Sequence, residues 1–450
     1  MPSQGERFLS CLFYDLISLK AESIPVSVVA TFSEIQEVPV SSDVTDLFIG
    51  GPLRLTGRVQ ESAWGKVGRS SRISSMVPGH AENARLAEFW IGAHPKAPSL
   101  IELPDGSTLP LDEALRRYPQ ALLGESVTRR FGANLPFLLK ILSVNGAYGL
   151  SIQLHPTKEK AAELHRRSPE HYPDENHKPE VGVAITPVSL LYGVKGRGEL
   201  ASLFSALPDL RRFVGDSVVD RVVRGDGAGD AEVVKAVFET CFALDSAGTR
   251  ACNEYLAQVL PQAAMLKAES ALFARLSGTY GMEDPGLFAM LLMNQVHLAP
   301  GQAIFIGANV PHAYLEGDLI ECMACSDNVV RAGLTPKYKD VETLLEVIDC
   351  SSSLSGICNP VVGTDGFEVV STATEEFSLR ILPKGASRAV IPASEAPAVV
   401  FCVGSGATIT SHDTGRRVDL VDGGAALLPP RTGAYEVSTS EAALVYGTVG

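Results

Sequence analysis

Residues 151–156 read SIQLHP. In an extended chain, side chains two positions apart share a face. Ile152 and Leu154 then point one way, and Gln153 and His155 the other. The apolar pair can enter a core. The polar pair must meet solvent, each other, or something that takes an amide oxygen and an imidazole nitrogen. Read as a strand, this hexapeptide makes its neighbourhood β structure with a polar face.

The segments around it agree. From Leu53 to Leu154 the chain gives short β-like runs broken by Gly and Pro, with a helical interruption near 111–130. TKEKAAELHRR (157–167) predicts a helix, with Thr157 as cap and Ala161, Leu164 and His165 on one face. Between 188 and 297 the pattern becomes helical in ELASLFSALPDLRRFV, DAEVVKAVFETCFAL, CNEYLAQVLPQAAMLKAESALFARL and DPGLFAMLLMNQVH, with a kink expected at Pro261. From 298 onward it is β again. LAPGQAIFIGANVPHAYLEGDLIECMA reads as two strands about a turn with Pro311-His312 at the rim, and 361–450 as short strands. PGQAIFIGANVPHAY (300–314) weakly repeats as GGAALLPPRTGAY (423–435), with Gly433 where the first copy has His312. Two small barrels, one keeping a ligand and the other having lost it, would leave that trace. The fold class is mainly β with an inserted α-helical domain. The divisions are an N-terminal extension (1–45), a β domain (46–187 plus 298–345), the helical insert (188–297) and a C-terminal β domain (346–450).

A 450-residue chain that is 45% hydrophobic has ample core material for two or three domains. Its net charge of -14 argues against wholesale nucleic-acid binding. The cysteines at 11, 241, 252, 322, 325, 350, 358 and 402 form no regular framework, which suits a reducing compartment. Cys322 and Cys325 have zinc-knuckle spacing but no second pair follows, so they read as strand cysteines. No apolar run approaches the roughly 20 residues that span a bilayer. FLSCLFYDLISL, interrupted by Asp15, reads as neither signal peptide nor anchor.

Among the histidines, His80, His94, His165, His171, His297 and His412 read as ordinary surface or core residues. Gln153 and His155 share a strand face, Glu180 ends the run DENHKPE, and His312 follows Pro311. If strands from both ends of the helical insert pair in one barrel, these four meet inside it. Two imidazoles, a carboxylate and an amide oxygen suit a borderline divalent metal, zinc first. The other reading stays open at this point: solvated Gln153 and His155, and His312 capping a turn. Lys140, His177, Lys178, Arg331 and Lys337 flank the candidates; gathered round a metal they would make a socket for a phosphate or an enediolate.

AWGK (63–66), AEFWIGAHPKAPS (87–99), LPFLLKILSVN (135–145), LSIQLHP (150–156), HYPDENHKPE (171–180) and PHAYLEGDLIECMACSDNVVRAGLTPKYKDV (311–341) together resemble the type I phosphomannose isomerases, zinc enzymes of the cupin superfamily. The likeness runs from about Val59 to Ile348 and extends to the C-terminal region by architecture. It implies two cupin-type (jelly-roll) barrels, the C-terminal one metal-free, and one zinc ion per chain on Gln153, His155, Glu180 and His312. It implies a substrate pocket lined by Trp64, Lys140, Ser151, Lys178, Glu321, Arg331 and Lys337, with Arg331 important for catalysis and Asp327 and His177 in the same motifs. Three departures stand out: Asn145–Gly149 forms a turn about two residues longer than usual, Glu61-Ser62 replaces the family's Asn-Tyr, and residues 1–45 precede the usual start.

The implied reaction interconverts mannose 6-phosphate and fructose 6-phosphate through a cis-enediol and feeds GDP-mannose supply. Arg331 would stabilise the enediolate, Lys140, Lys178, Lys337 and Ser151 would hold phosphate, and His177, Glu321, Asp327 or zinc-bound water would move the proton. The expected partner is a sugar phosphate, with no nucleic acid and no membrane, for a cytoplasmic monomer. The competing readings are a non-catalytic cupin that senses sugar phosphate or metal, and a metal-dependent dioxygenase. Retention of Arg331, His177 and Lys178 weighs against the first, and a glutamine ligand beside a phosphate socket against the second.

Overall fold

In the computed structural model the described residues are 48 and 51–450, apart from 104–105, 226–228, 352–353, 387, 431–432 and 440–441. The expected extension, residues 1–45, lies outside them, as does Cys11. The fold is a mixture of antiparallel sheets and helices.

An eleven-stranded sheet brings residues of the quoted motifs together, and its axis is one strand, His312–Ala324. The second half of that strand pairs with Phe137–Val144 on one side and Glu180–Ala184 on the other. The first half pairs with Val188–Val194, and His312 also pairs with Gln153. The change of partners falls at an irregularity between Tyr314 and Glu316, followed by Gly317 at φ 123. A Cβ at Gly317 would stand 2.7 Å from the Pro187 carbonyl oxygen. A glycine at this corner lets one strand bend from one wall of the sheet into the other.

SIQLHP supplies the short strand Ile152–Leu154, which pairs antiparallel with Val330–Gly333. Ile152 and Leu154 pack outward into a core shared with Leu203, Phe288 and Leu291 of the helical insert. Gln153 and His155 face the opposite way, as the alternation predicts. Thr157 caps the helix Lys158–Arg167, its side chain accepting from the Lys160 N–H.

The insert departs from expectation at its edges. Val188–Val194 is a strand, and the helices begin at Arg197. In DPGLFAMLLMNQVH the helical reading holds only for Gly286–Leu292; Met293–Leu298 is a strand paired with Val188–Val194. A continuous apolar run such as LFAMLLM has no period to separate buried helix from buried strand. At Pro261 there is a break, not a kink: Ser246–Val259 ends, Leu260–Gln262 forms a 3-10 turn, and Lys267–Tyr280 begins afresh.

A nine-stranded sheet is built mostly from the C-terminal residues, and a four-stranded sheet packs on it through Val400, Ile409, Val437 and Leu444. Leu53–Thr56 joins the nine-stranded sheet by pairing with Leu427–Ala425, and Leu100–Glu102 and Thr108–Pro110 extend it further. Early residues, which sequence order assigns to the segment 46–187, thus complete a sheet of the last hundred residues. The other face of this sheet meets the eleven-stranded one through Phe89, Phe137 and Ile141 against Phe377, Phe401 and Val445. Each half of the weak repeat has two successive strands, Ala303–Ile306 then His312–Ala324, and Ala425–Leu428 then Tyr435–Thr439.

Candidate metal centre and substrate cavity

Register brings the four candidate ligands together. Gln153 stands across from His312, and Glu180 across from Met323 on the same long strand. Glu180 is 1% exposed, and His155 and His312 are fully buried. His155 Nε2 lies 3.2 Å from Glu180 Oε2, and His312 Nε2 lies 3.3 Å from Glu180 Oε1. Behind the rings, His155 Nδ1 is 2.9 Å from the Asn328 carbonyl oxygen and His312 Nδ1 is 3.0 Å from that of Val310. A carbonyl can only accept, so each ring carries its proton on Nδ1 and turns a lone pair on Nε2 toward Glu180. Burial, reinforced by the Lys178 charge, pushes His155 down to about 4. Burial works against the Glu180 charge, but the Lys178 charge holds its carboxyl well below the usual range.

The donors have no donors of their own. His155 Nε2 and both Glu180 oxygens are buried without a hydrogen-bond partner. Leaving such groups unmatched costs about 1–3 kcal/mol each. A cation among them removes that cost. His155, Glu180 and His312 each offer one atom within 4.8 Å of the others. Ligand atoms about 2.0–2.1 Å from a tetrahedral zinc stand about 3.3 Å apart, close to the observed spacings. Gln153 Nε2 is 3.4 Å from His312 Nε2, while its Oε1 accepts from Ser151 Oγ at 3.1 Å. Turning the amide over presents its oxygen to the cluster and lets Ser151 accept from the nitrogen. The residues fit a zinc ion.

Above the cluster opens a cavity of about 800 Å³. Trp64, Lys140, Ser151, Lys178 and Glu321 line it, as do Asp327, Arg331 and Lys337. His177 does not. Its Nε2 sits 2.7 Å from Glu376 Oε1, on the chain that leads into the nine-stranded sheet. Burial alone would raise the Glu376 carboxyl, but hydrogen bonds from His177 and Thr374 bring it down to about 2.

The cavity cations fall into two kinds. Lys140 Nζ is 3.1 Å from Glu321 and 3.4 Å from Glu88, and 5.1 Å from the centre of the Trp90 ring. Burial opposes its charge, yet Glu88 and Glu321 hold it well above the ordinary lysine value. Lys178 Nζ is 3.4 Å from Glu180. By contrast, Arg331 and Lys337 have no ion-pair partner among the described residues. Burial lowers both, and the Arg331 charge lowers Lys337 further. Half-buried Arg331 and more exposed Lys337 face one cavity; two like charges there are stabilised by an anion between them. Burial raises Glu321 against the pull of Lys140. Asp327 Oδ2 meets Lys96 Nζ at 2.8 Å and His94 Nε2 at 3.4 Å.

Glu88, Trp90 and His94 were not singled out from the sequence, and His94 was set among the ordinary histidines. Glu88 and Trp90 line the cavity, while His94 is buried with its ring 4.8 Å from that of Trp90. The signal was present: Glu88 and Trp90 stand two apart on the strand Arg85–Gly92, the pattern that marked Gln153 and His155. The turn at 145–149 places Tyr148 in the cavity wall, and its backbone is held by the Thr279 and Tyr280 hydroxyls.

The sequence model described as phosphomannose isomerase type I, catalytic domain, matches residues 53–196. Among curated relatives, mannose-6-phosphate isomerase of Rattus norvegicus is 38% identical over 311 residues, 66% of this chain and 73% of the relative. The Homo sapiens enzyme of that name is 38% identical over 315 residues, 67% and 74%. Among solved structures, a point mutant of phosphomannose isomerase from Salmonella typhimurium superposes with TM-score 0.77 and 28% identity, over 89% of this chain and 100% of that one. A mannose 6-phosphate isomerase bound with zinc and yttrium gives 0.75 and 29%, over 88% and 99%.

Proposed function

The chain belongs to the type I phosphomannose isomerase family, and from that we propose that Gln153, His155, Glu180 and His312 hold one zinc ion beneath a sugar-phosphate cavity. The protein is a zinc-dependent aldose–ketose isomerase that interconverts mannose 6-phosphate and fructose 6-phosphate. The observation that carries the site assignment is the set of buried atoms on His155 and Glu180 that receive no hydrogen bond among the described residues, below a cavity that Arg331 and Lys337 line.

Held by Gln153, His155, Glu180 and His312, zinc would supply Lewis-acid chemistry to the bound sugar. The chain does the rest. Lys337 takes the phosphate, aided by Ser151, and Arg331 faces the oxygen that becomes negative in the cis-enediol. Lys140 is fixed between Glu88 and Glu321, and Lys178 beside Glu180, so both act from set positions. Glu321 and Asp327 are the carboxylates placed to carry the proton between C2 and C1. For Glu321, burial favours the protonated form, which suits an acid–base group. His177, tied to Glu376, acts by holding the loop that delivers Lys178 and Glu180.

We read the sheets as two cupin-type barrels, with a helical insert interrupting the first; the expected insert 188–297 narrows to Arg197–Leu292, since Val188–Val194 and Met293–Leu298 are strands of that barrel, and the C-terminal division at 346–450 is completed by Leu53–Thr56, Leu100–Glu102 and Thr108–Pro110. Gly433, at the place of His312 in the repeat, supports a C-terminal barrel without metal. We place the protein in the cytoplasm as a monomer, supplying GDP-mannose precursors. The free thiols of Cys241, Cys252, Cys322, Cys325, Cys350, Cys358 and Cys402 support a reducing compartment. No helix among the described residues is long and apolar enough to cross a membrane. A coupled assay of mannose 6-phosphate conversion on the full chain, with and without chelator, tests the reading. Turnover that stops with chelator and returns with zinc is expected; turnover indifferent to chelator would overturn the metal site.

A further inference from the structure

Between Arg331 and Lys337 the backbone makes a turn that is unfavourable on its own. Leu334 sits at φ 54, a conformation that side-chain-bearing residues rarely adopt. One carboxylate holds it there. Asp284 Oδ1 accepts from the Leu334 N–H at 2.7 Å and from the Gly286 N–H at 2.8 Å, and Oδ2 accepts from the Thr335 N–H at 3.3 Å. Asp284 belongs to the helical insert and is 7% exposed. It is anchored from behind by Asn253, whose amide donates to the carbonyls of Met282 and Asp284 at 2.8 and 3.1 Å. The two backbones touch here: a Cβ added at Gly333 would stand 2.5 Å from Gly286 Cα.

We infer that Asp284 is a positioning residue for the anion site, fixing the turn so that Lys337 meets the phosphate. The inference rests on the assignment of Lys337 to phosphate made above. It has a counter-intuitive sign. Asp284 and Lys337 line the same cavity. A carboxylate there, considered only as a charge, repels a phosphate, so removing it would tighten anion binding. Considered as a clamp, its loss frees the turn to leave the positive-φ conformation, and anion binding weakens.

The test uses full-length, zinc-loaded protein carrying Asp284→Asn or Asp284→Ala, with Lys337→Ala alongside. Asparagine keeps the shape and one acceptor but turns a donor or a neutral oxygen toward the remaining N–H groups. It guards against an alanine variant that does not fold. The readouts are KM and kcat for mannose 6-phosphate, competitive inhibition by inorganic phosphate, and zinc content. The clamp predicts KM and the phosphate inhibition constant raised about tenfold, as for a lost hydrogen bond to a charged group, with zinc at one per chain and kcat little changed. Asp284→Glu, which keeps the carboxylate, should recover part of the loss. Phosphate inhibition unchanged or tightened in Asp284→Asn, while Lys337→Ala weakens it, removes the role of Asp284 alone. Phosphate inhibition unchanged in Lys337→Ala removes the anion assignment itself, and this inference with it.

Discussion

Replacing Glu180 by glutamine should move the stability of the metal-free and zinc-loaded proteins in opposite directions. In the metal-free chain Glu180 is a buried carboxylate whose two oxygens receive no hydrogen bond, flanked by the Nε2 lone pairs of His155 and His312 at 3.2 and 3.3 Å. A glutamine amide fits the same space and donates to one of those nitrogens. It relieves an unmatched buried group, worth about 1–3 kcal/mol, less whatever is lost at Lys178. The zinc-loaded protein loses its one anionic ligand instead. If affinity falls about 100- to 1,000-fold, zinc's stabilisation falls by about 2.7–4.1 kcal/mol at a metal concentration that saturates the parent. With an unfolding entropy near 2.1 cal/mol/K per residue, a chain this size shifts by about 1 °C per kcal/mol. The expected result is a rise of about 1–3 °C with chelator and, that gain being set against the lost zinc stabilisation, a fall of up to about 3 °C with zinc. Calorimetry at one scan rate and metal analysis of the same samples would measure both. Shifts of one sign in both states, or a variant that keeps zinc as tightly as the parent, would refute the idea that Glu180 is held unsatisfied for a metal.

Three further outcomes follow from the cavity and its supports. Arg331→Ala should keep its zinc and its fold but lose about 100-fold or more in kcat, the size of one well-placed charged donor; near-normal turnover would take Arg331 out of the chemistry. Lys140→Met leaves Glu88 and Glu321 facing each other without the cation that stands 3.4 and 3.1 Å from them. Breaking a buried pair in this way costs about 3–5 kcal/mol in denaturant unfolding, and adding Glu321→Gln should restore part of it; no recovery would mean the loss was packing. Glu376 is depressed from 4.5 to about 2 in the fold. Its stabilising contribution is therefore complete above pH 4.5 and is lost as pH falls toward 2. The stability difference between parent and Glu376→Gln should shrink across that window, and a difference that stays constant there would dissociate the depressed carboxyl from folding.

What was legible in the sequence was what a local rule can reach. The i, i+2 rule found Gln153 and His155, and applied evenly it would have found Glu88 and Trp90. Thr157 announced its helix. Long-range register was not legible: Gln153 meets His312 only because a short strand pairs with a long one 159 residues away. The same holds for His177, whose type suggests a proton shuttle but whose direction is set by Glu376, 199 residues on. Asp284 gave no signal, because its partners are backbone N–H groups and any residue supplies those.

SIQLHP also explains why the candidate metal site needs a helical insert. Ile152–Leu154 is three residues long and is tied to its neighbours mainly through His312 and the Val330–Gly333 strand. So short a strand is poorly fixed by pairing alone, and a slip of one residue would turn Gln153 and His155 out of the cavity and Ile152 and Leu154 into it. What forbids the slip is the outer face. Ile152 and Leu154 are buried in one core with Leu203, Phe288 and Leu291 of the insert, at about 1.5–3 kcal/mol for each side chain. The insert thus sets which side chains reach the metal from behind the strand. Through Asp284 it also grips the turn between Arg331 and Lys337. Ligands and anion site are therefore registered against one body of helices that contributes no metal ligand itself.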